Sequence, residues 1–409
     1  MTSTIIISIC VLVLIAYLFD LSSSKTKIPS VILLLISGGL VRQITQWLEI
    51  QLPSLQEILP VLGTVGLILI VLEGSLELQL HKSKLRAIFK SFWVALIPVL
   101  VLSLLGAWGL QSLGFPDFKM NLGNVIPLCV ISSSIAIPSV LHSSKATREF
   151  VVYETSLSDI VGVIFFNFIV LNTVIDGDAF FTFFMQLVFV SIISFMATLF
   201  LAFLLAKIEH HIKFVPIIFL IILIYAISKS LHLPALLFIM IFGLFLGNLD
   251  ELKSYAWIRK FHPENLDKEV HRFKEITVEA TFLIRSLFFL VFGFLIRPSE
   301  IINRESILWA LLIVVAVFST RAIILKLFRL RFDPLLYIAP RGLITILLFL
   351  SIPSEARISI INNSLVVQVM LLTILIMMFG LMMSRESKKA KPVSEAQTPL
   401  PEVVLTENT

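Results

Sequence analysis

The densest chemistry in this chain falls in one stretch, Tyr153-Glu154-Thr155-Ser156-Leu157-Ser158-Asp159-Ile160-Val161-Gly162, where two carboxylates and three hydroxyls precede the apolar run Val163-Ile164-Phe165-Phe166. At 100° per residue, Glu154 and Asp159 lie about 140° apart around a helix, so the two acids cannot share one ligand sphere. Thr155 and Ser156 come four and three residues before Asp159, on its face of the helix. Their hydroxyls there can add neutral oxygens to a hard cation held by the carboxylate. Glu154 faces elsewhere and suits a salt bridge to a cation on another helix, for which a buried Arg is the natural partner. A carboxylate such as Asp159 can take up a proton or a metal cation, but not both. The competing reading makes Asp159 a structural acid neutralised by Arg285.

The surroundings of this stretch decide what such groups cost. Of the 409 residues, 58% are apolar and only 14% charged, against about 25% charged in a soluble domain. A soluble globular protein is thereby excluded, and the absence of polar/apolar alternation excludes barrel strands. Apolar runs long enough to span a bilayer, about 20 residues each, fall near 3–19, 29–47, 57–78, 91–112, 122–142, 150–173, 179–206, 214–228, 233–249, 277–296, 305–325, 335–353 and 363–384. The expectation is an all-α polytopic membrane protein of about 13 transmembrane helices. The first run lacks the basic flank of a signal peptide and reads as a true span.

An odd number of spans puts the termini on opposite sides, and the basic residues choose which. Loops after the odd-numbered spans, with the C-terminal tail, hold Lys25, Lys27, Lys82, Lys84, Arg86, Lys90, Lys145, Arg148, Lys207 and Lys213, six more in the loop 250–276, then Lys326, Arg329, Arg331, Arg385, Lys388, Lys389 and Lys391. The other loops hold Arg42, Lys119, Lys229, Arg297, Arg304 and Arg357. The N-terminus is therefore expected outside and the C-terminus in the cytoplasm, with the chain in the cell inner membrane. Trp257, Phe261, Val270 and Phe273 among charges point to an amphipathic linker helix about 255–275 on the cytoplasmic interface. Residues 1–385 thus read as one transmembrane domain, and 386–409 as a short disordered cytoplasmic tail.

Within the spans the ionisable residues are Glu73, Glu154, Asp159, Arg285, Arg321 and Arg341, with Glu77 and Glu279 near span ends. Each is a functional candidate, because an unpaired charge in lipid is costly. Glu73 and Glu77 lie near the cytoplasmic end of the third span, where they line an entry funnel or sit at headgroup level. Two spans carry breaks. The fifth has Ser132-Ser133-Ser134 shortly before Pro138, and the twelfth has Ala339-Pro340-Arg341-Gly342. An interrupted segment in each half is the mark of an inverted-repeat transporter, whose two discontinuous helices cross near the substrate site. Arg341 beside such a break can satisfy freed carbonyls or pair with Glu154.

These residues together resemble the monovalent cation:proton antiporter superfamily, the sodium/proton exchangers of bacterial type. Ile28-Pro29-Ser30 leading to Gly38-Gly39 is similar to the family's second-span signature. Leu72-Glu73-Gly74-Ser75-Leu76-Glu77-Leu78 is similar to its third-span element, and Glu154-Thr155-x-x-Ser158-Asp159 to its sixth-span core. Arg285-Ser286-Leu287-Phe288-Phe289-Leu290-Val291-Phe292-Gly293 and Pro340-Arg341-Gly342 resemble its late motifs. The resemblance implies that Asp159, beside Ser158, is the ion and proton site, with Glu154 and Arg341 as a structural salt bridge and Arg285 as an auxiliary basic residue near the ion. It further implies a core bundle moving against a scaffold that forms a homodimer interface. Two positions depart from the pattern: Ser158 stands where the family has Asn or Asp, and Ser132-Ser133-Ser134-Ile135-Ala136 resembles the potassium-efflux and electrogenic branches where the electroneutral branch has Thr-Asp-Pro. A single titratable site at Asp159 favours one-for-one exchange.

The expected activity is antiport of Na+ or Li+ against H+ at Asp159, with no cofactor. The alternatives are K+/H+ efflux and organic-anion/sodium symport on the same fold. An enzyme is not expected: His81, His142, His210, His211, His232, His262 and His271 all lie at or beyond span ends, and Cys10 and Cys129 form no spaced pair. The distribution of basic residues follows topology, so nucleic acid is not expected as a partner.

Overall fold

The computed structural model describes residues 10–11, 13–19, 22, 29–47, 55, 58–78, 85–140, 143–172, 177–207, 214–230, 235–249 and 263–384. Among them the α-helices are α1 (Ser30–Trp47), α2 (Ile58–Glu77), α3 (Leu85–Ser112), α4 (Phe118–Cys129), α5 (Ser133–Ser139), α6 (Lys145–Leu171) and α7 (Gly177–Lys207), followed by α8 (Phe214–Ser230), α9 (Ala235–Gly247), α10 (Pro263–Leu295), α11 (Pro298–Ile301), α12 (Arg304–Leu327), α13 (Leu343–Leu350) and α14 (Asn363–Met383). No strand occurs among the described residues. The chain is an all-α membrane protein with two crossed discontinuous helices.

Nine helical stretches among the described residues are long and apolar enough to cross a membrane, and α8 and α9 are shorter apolar helices where the eighth and ninth spans are expected. The expected twelfth span differs. Over 335–353 only Leu343–Leu350 is α-helix, because Pro340 has no N–H to continue a helix and Gly342 starts a new one. The expected first span, 3–19, lies partly outside the described residues. So does the proposed linker helix: residues 255–262 are not described, and from Pro263 the chain already runs as α10. Val270 and Phe273 are buried on that helix.

The helices pack as two bundles, one of α1, α2, α7, α8, α9 and α10, the other of α3 to α6 with α12 to α14. Close backbone contact holds the first bundle together. A Cβ added at Gly38 on α1 would fall 2.7 Å from Phe294 N, and one at Gly293 on α10 would fall 2.8 Å from Leu35 Cα. Only glycine permits that approach, which places van der Waals contact where lipid offers no hydrophobic drive. The second bundle carries both breaks, and α2 meets it along α13, α6 and α5.

Candidate functional site

The crossing is built from chain that leaves its helices. Helix α4 ends at Cys129, Val130 and Ser132 are extended, and α5 begins at Ser133. Opposite, residues 338–342 run outside any helix into α13. The two breaks satisfy each other. Ser132 N donates to Pro340 O at 2.9 Å, Arg341 Nε donates to Leu128 O at 2.7 Å, and an Arg341 terminal nitrogen donates to Ala339 O at 3.0 Å. Arg341 N donates to Thr373 Oγ1 at 3.0 Å. Gly342 is required where the chains touch, since an added Cβ would lie 2.8 Å from Ser132 Oγ. Every group that a lipid-buried break exposes needs such a partner, and the guanidinium also places positive charge at the carbonyl end of α4.

Asp159 points into this crossing. It is buried on α6, and its Oδ2 accepts from Ser133 N at 3.3 Å and from Ser133 Oγ. Its Oδ1 is buried with no hydrogen-bond partner among the described residues. Arg285 does not pair with it, so the reading of Asp159 as a neutralised structural acid finds no counter-ion there.

The hydroxyls expected around Asp159 go to different places. Ser158 Oγ accepts from Ile131 N at 3.0 Å, supporting the break. Thr155 Oγ1 donates to Val151 O of its own helix at 2.8 Å. Ser156 turns toward α2, where a Cβ added at Gly74 would come within 2.9 Å of its Oγ. Ser133 is the hydroxyl in contact with the carboxylate. Sequence spacing assigned it only to the break, because its meeting with Asp159 depends on how the unwound segment crosses α6. Ser132 Oγ and Ser134 Oγ bond each other at 2.8 Å.

The partner of Glu154 requires a correction. The expected Glu154–Arg341 salt bridge does not form; Arg321 on α12 takes that place, with N···O distances of 2.6 and 3.1 Å to the two carboxylate oxygens. Arg321 also donates through Nε to Leu335 O at 2.6 Å. The reason is local. Arg341 lies in extended chain against the carbonyl end of α4, whose open acceptors occupy it, whereas Arg321 lies on a regular helix facing α6.

Between the bundles, a cavity of about 540 Å³ is lined by Glu73 and Glu77 of α2, Glu279 and Arg285 of α10, and Ser133 and Ser134 of α5. It runs from the Glu77–Lys274 ion pair, 3.5 Å long and half-exposed, to the serine that contacts Asp159. Polar groups from both bundles thus line one path to a buried carboxylate. Ser133→Ala, which removes a charge-directed hydrogen bond worth about 1.5–3 kcal/mol, is expected to change the apparent cation affinity by roughly 10- to 150-fold in a transport assay. An unchanged affinity would leave Ser133 as a support of the break only.

The comparisons with known proteins agree with this architecture. The structure of the sodium proton antiporter MjNhaP1 from Methanocaldococcus jannaschii at pH 8 is similar at a TM-score of 0.63 and 17% identity, covering 93% of this chain and 94% of that one. An electron-microscopy map of the same antiporter is similar at a TM-score of 0.67 and 17% identity, covering 93% and 95%. No curated protein sequence matches. The family described as sodium/hydrogen exchanger, transmembrane, matches residues 10–386, all but the two ends of the chain. With the crossed breaks and the buried carboxylate spanned by that match, the chain belongs to the sodium/hydrogen exchanger family of membrane transporters.

Proposed function

We propose that this protein is a secondary antiporter that exchanges a monovalent cation, Na+ or Li+, for H+ at Asp159, one for one and with no cofactor. The observation that carries the reading is the free Oδ1 of Asp159, buried beside the helix crossing behind a cavity whose wall includes Ser133. A proton neutralises that oxygen in one state and a cation does so in the other, and the two compete. Ser133 supplies a neutral oxygen for a hard cation, while Thr155 and Ser156, expected beside Asp159, are turned to Val151 O and to α2. Ser158 acts through the break rather than on the ion, and Glu154 is held by Arg321. Asp159 is then the one exchanging carboxylate, which supports electroneutral turnover.

In this reading the protein lies in the cell inner membrane with its N-terminus outside, and the cavity opens to the cytoplasm. Glu73 and Glu77 form its funnel and Arg285 its auxiliary basic wall. The second bundle, carrying the site, is the moving core. The first is the scaffold, and its exposed α7 face, with Phe184, Phe189 and Phe195, is the surface for a second copy in a homodimer.

The test is dissipation of a pH gradient in proteoliposomes on adding Na+, Li+ or K+, with and without a clamped membrane potential. Dissipation by Na+ or Li+ that ignores the clamp is the expected result. Response to K+ alone would assign the efflux reading, which the Ser132-Ser133-Ser134 departure favours. Silence toward all three cations would remove proton-coupled cation exchange.

A further inference from the structure

The second bundle gathers basic residues at one end of the molecule. Helices α3 and α6 begin there and α12 ends there. Their alignment is set by the Glu154–Arg321 pair and by a small void that Pro98 and Val99 share with Val317 and Arg321. From that level, Lys90 lies roughly 12 Å along α3, Lys145 roughly 14 Å along α6 and Lys326 roughly 8 Å along α12, so these ends form one rim. Arg86 and Lys90 on α3, Lys145 and Arg148 on α6, and Lys326, Arg329 and Arg331 at the end of α12 stand along it. All but the half-buried Lys90 are exposed. None has an ion-pair partner among the described residues. The acids described there, Glu149 and Asp333, already have interactions of their own.

The first bundle at the same end carries both paired and unpaired charge: Lys268 and Arg272 on α10 are exposed with no ion-pair partner among the described residues. Lys274 pairs with Glu77, and His271 lies 3.4 Å from Glu275. Apolar groups accompany the unmatched cations on the core. Phe89 packs edge-on against Trp93 at 6.0 Å and is 64% exposed, and Leu327 and Phe332 are exposed beside Arg329 and Arg331. Aromatic rings next to long basic side chains mark headgroup depth, where the rings sit among glycerol and acyl groups and the cations reach phosphate.

We propose that this rim of the core bundle is a docking surface for the headgroups of anionic phospholipids. Its orientation toward the cytoplasmic leaflet rests on the topology proposed above. Each Lys or Arg at such a surface contributes roughly fivefold to partition toward anionic lipid, so the cations of this rim couple lipid composition to the core. The consequence is that lipid headgroups restrain the moving part.

The experiment uses the full chain, delipidated in neutral detergent, and reads the thermal unfolding midpoint after adding phosphatidylglycerol or phosphatidylcholine. Phosphatidylglycerol is expected to raise the midpoint by several degrees more than phosphatidylcholine. The variant Lys326→Gln/Arg329→Gln/Arg331→Gln should lose at least half of that difference. Equal shifts with the two lipids, or a full difference retained in the α12 variant, would overturn the proposal. So would inorganic phosphate alone giving the whole shift, since the surface would then be a phosphate site rather than a lipid one. Because the readout is stability and not ion flux, failure here is separable from failure of the antiport reading.

Discussion

Asp159→Asn is expected to abolish cation-dependent dissipation of a pH gradient while the protein remains folded. The substitution keeps the shape of the side chain and an oxygen able to accept from Ser133 N, so the crossing retains its contact at that point. What is lost is charge. A unit charge 4 Å from a cation contributes about 4 kcal/mol at an effective dielectric of 20, roughly a thousandfold in affinity, and the amide cannot carry the returning proton. The measurement is proteoliposome flux beside a melting curve of the same preparation. Normal melting with flux at background is the expected pair of results, and flux retained with normal melting would move the exchange site away from Asp159.

Arg321→Ala is expected to have the largest effect on stability. Glu154 is fully buried and the Arg321 guanidinium bonds both of its oxygens. Removing one partner of such a pair strands the other and costs about 3–5 kcal/mol. Little folded protein should survive solubilisation, and Glu154→Gln in the same chain should recover much of it, because an amide tolerates burial without a counter-ion far better than a carboxylate. Arg341→Ala should destabilise for another reason, leaving Leu128 O without its donor, and Glu154→Gln should not rescue it. Thermal midpoints of the singles and doubles check this. Rescue of Arg341→Ala and none of Arg321→Ala would restore the salt bridge expected from sequence.

What was readable beforehand follows from what one helix can reveal about itself. Asp159 stands out because an acid between Leu157 and Ile160 in an apolar run is costly wherever the helix sits, and the breaks stand out because Pro340 and Gly342 interrupt such a run. The angle between Glu154 and Asp159 depends only on helical pitch, so their turning to different neighbours was also legible. The partner of Glu154 was not. Arg321 and Arg341 both lie in spans, and the choice between them depends on which neighbour faces α6 and on carbonyls that open only when α4 stops at Cys129. The contact of Ser133 with Asp159 was hidden for the same reason, since no periodicity describes an extended crossing. The cavity shared by α2, α5 and α10 required bundle packing, although Glu73, Glu77 and Arg285 could each be picked out alone as charges near lipid.

The crossing of the two breaks also imposes an order on biogenesis. Leu128 O and Arg341 Nε are separated by 213 residues. A ribosome adding about 5–20 residues per second needs roughly 10–40 s to make that stretch. Through that interval the end of α4 and the N–H of Ser132 have none of the partners that later hold them, and each open group costs several kcal/mol in hydrocarbon. The first half of this protein therefore cannot close its crossing until the second half has been made.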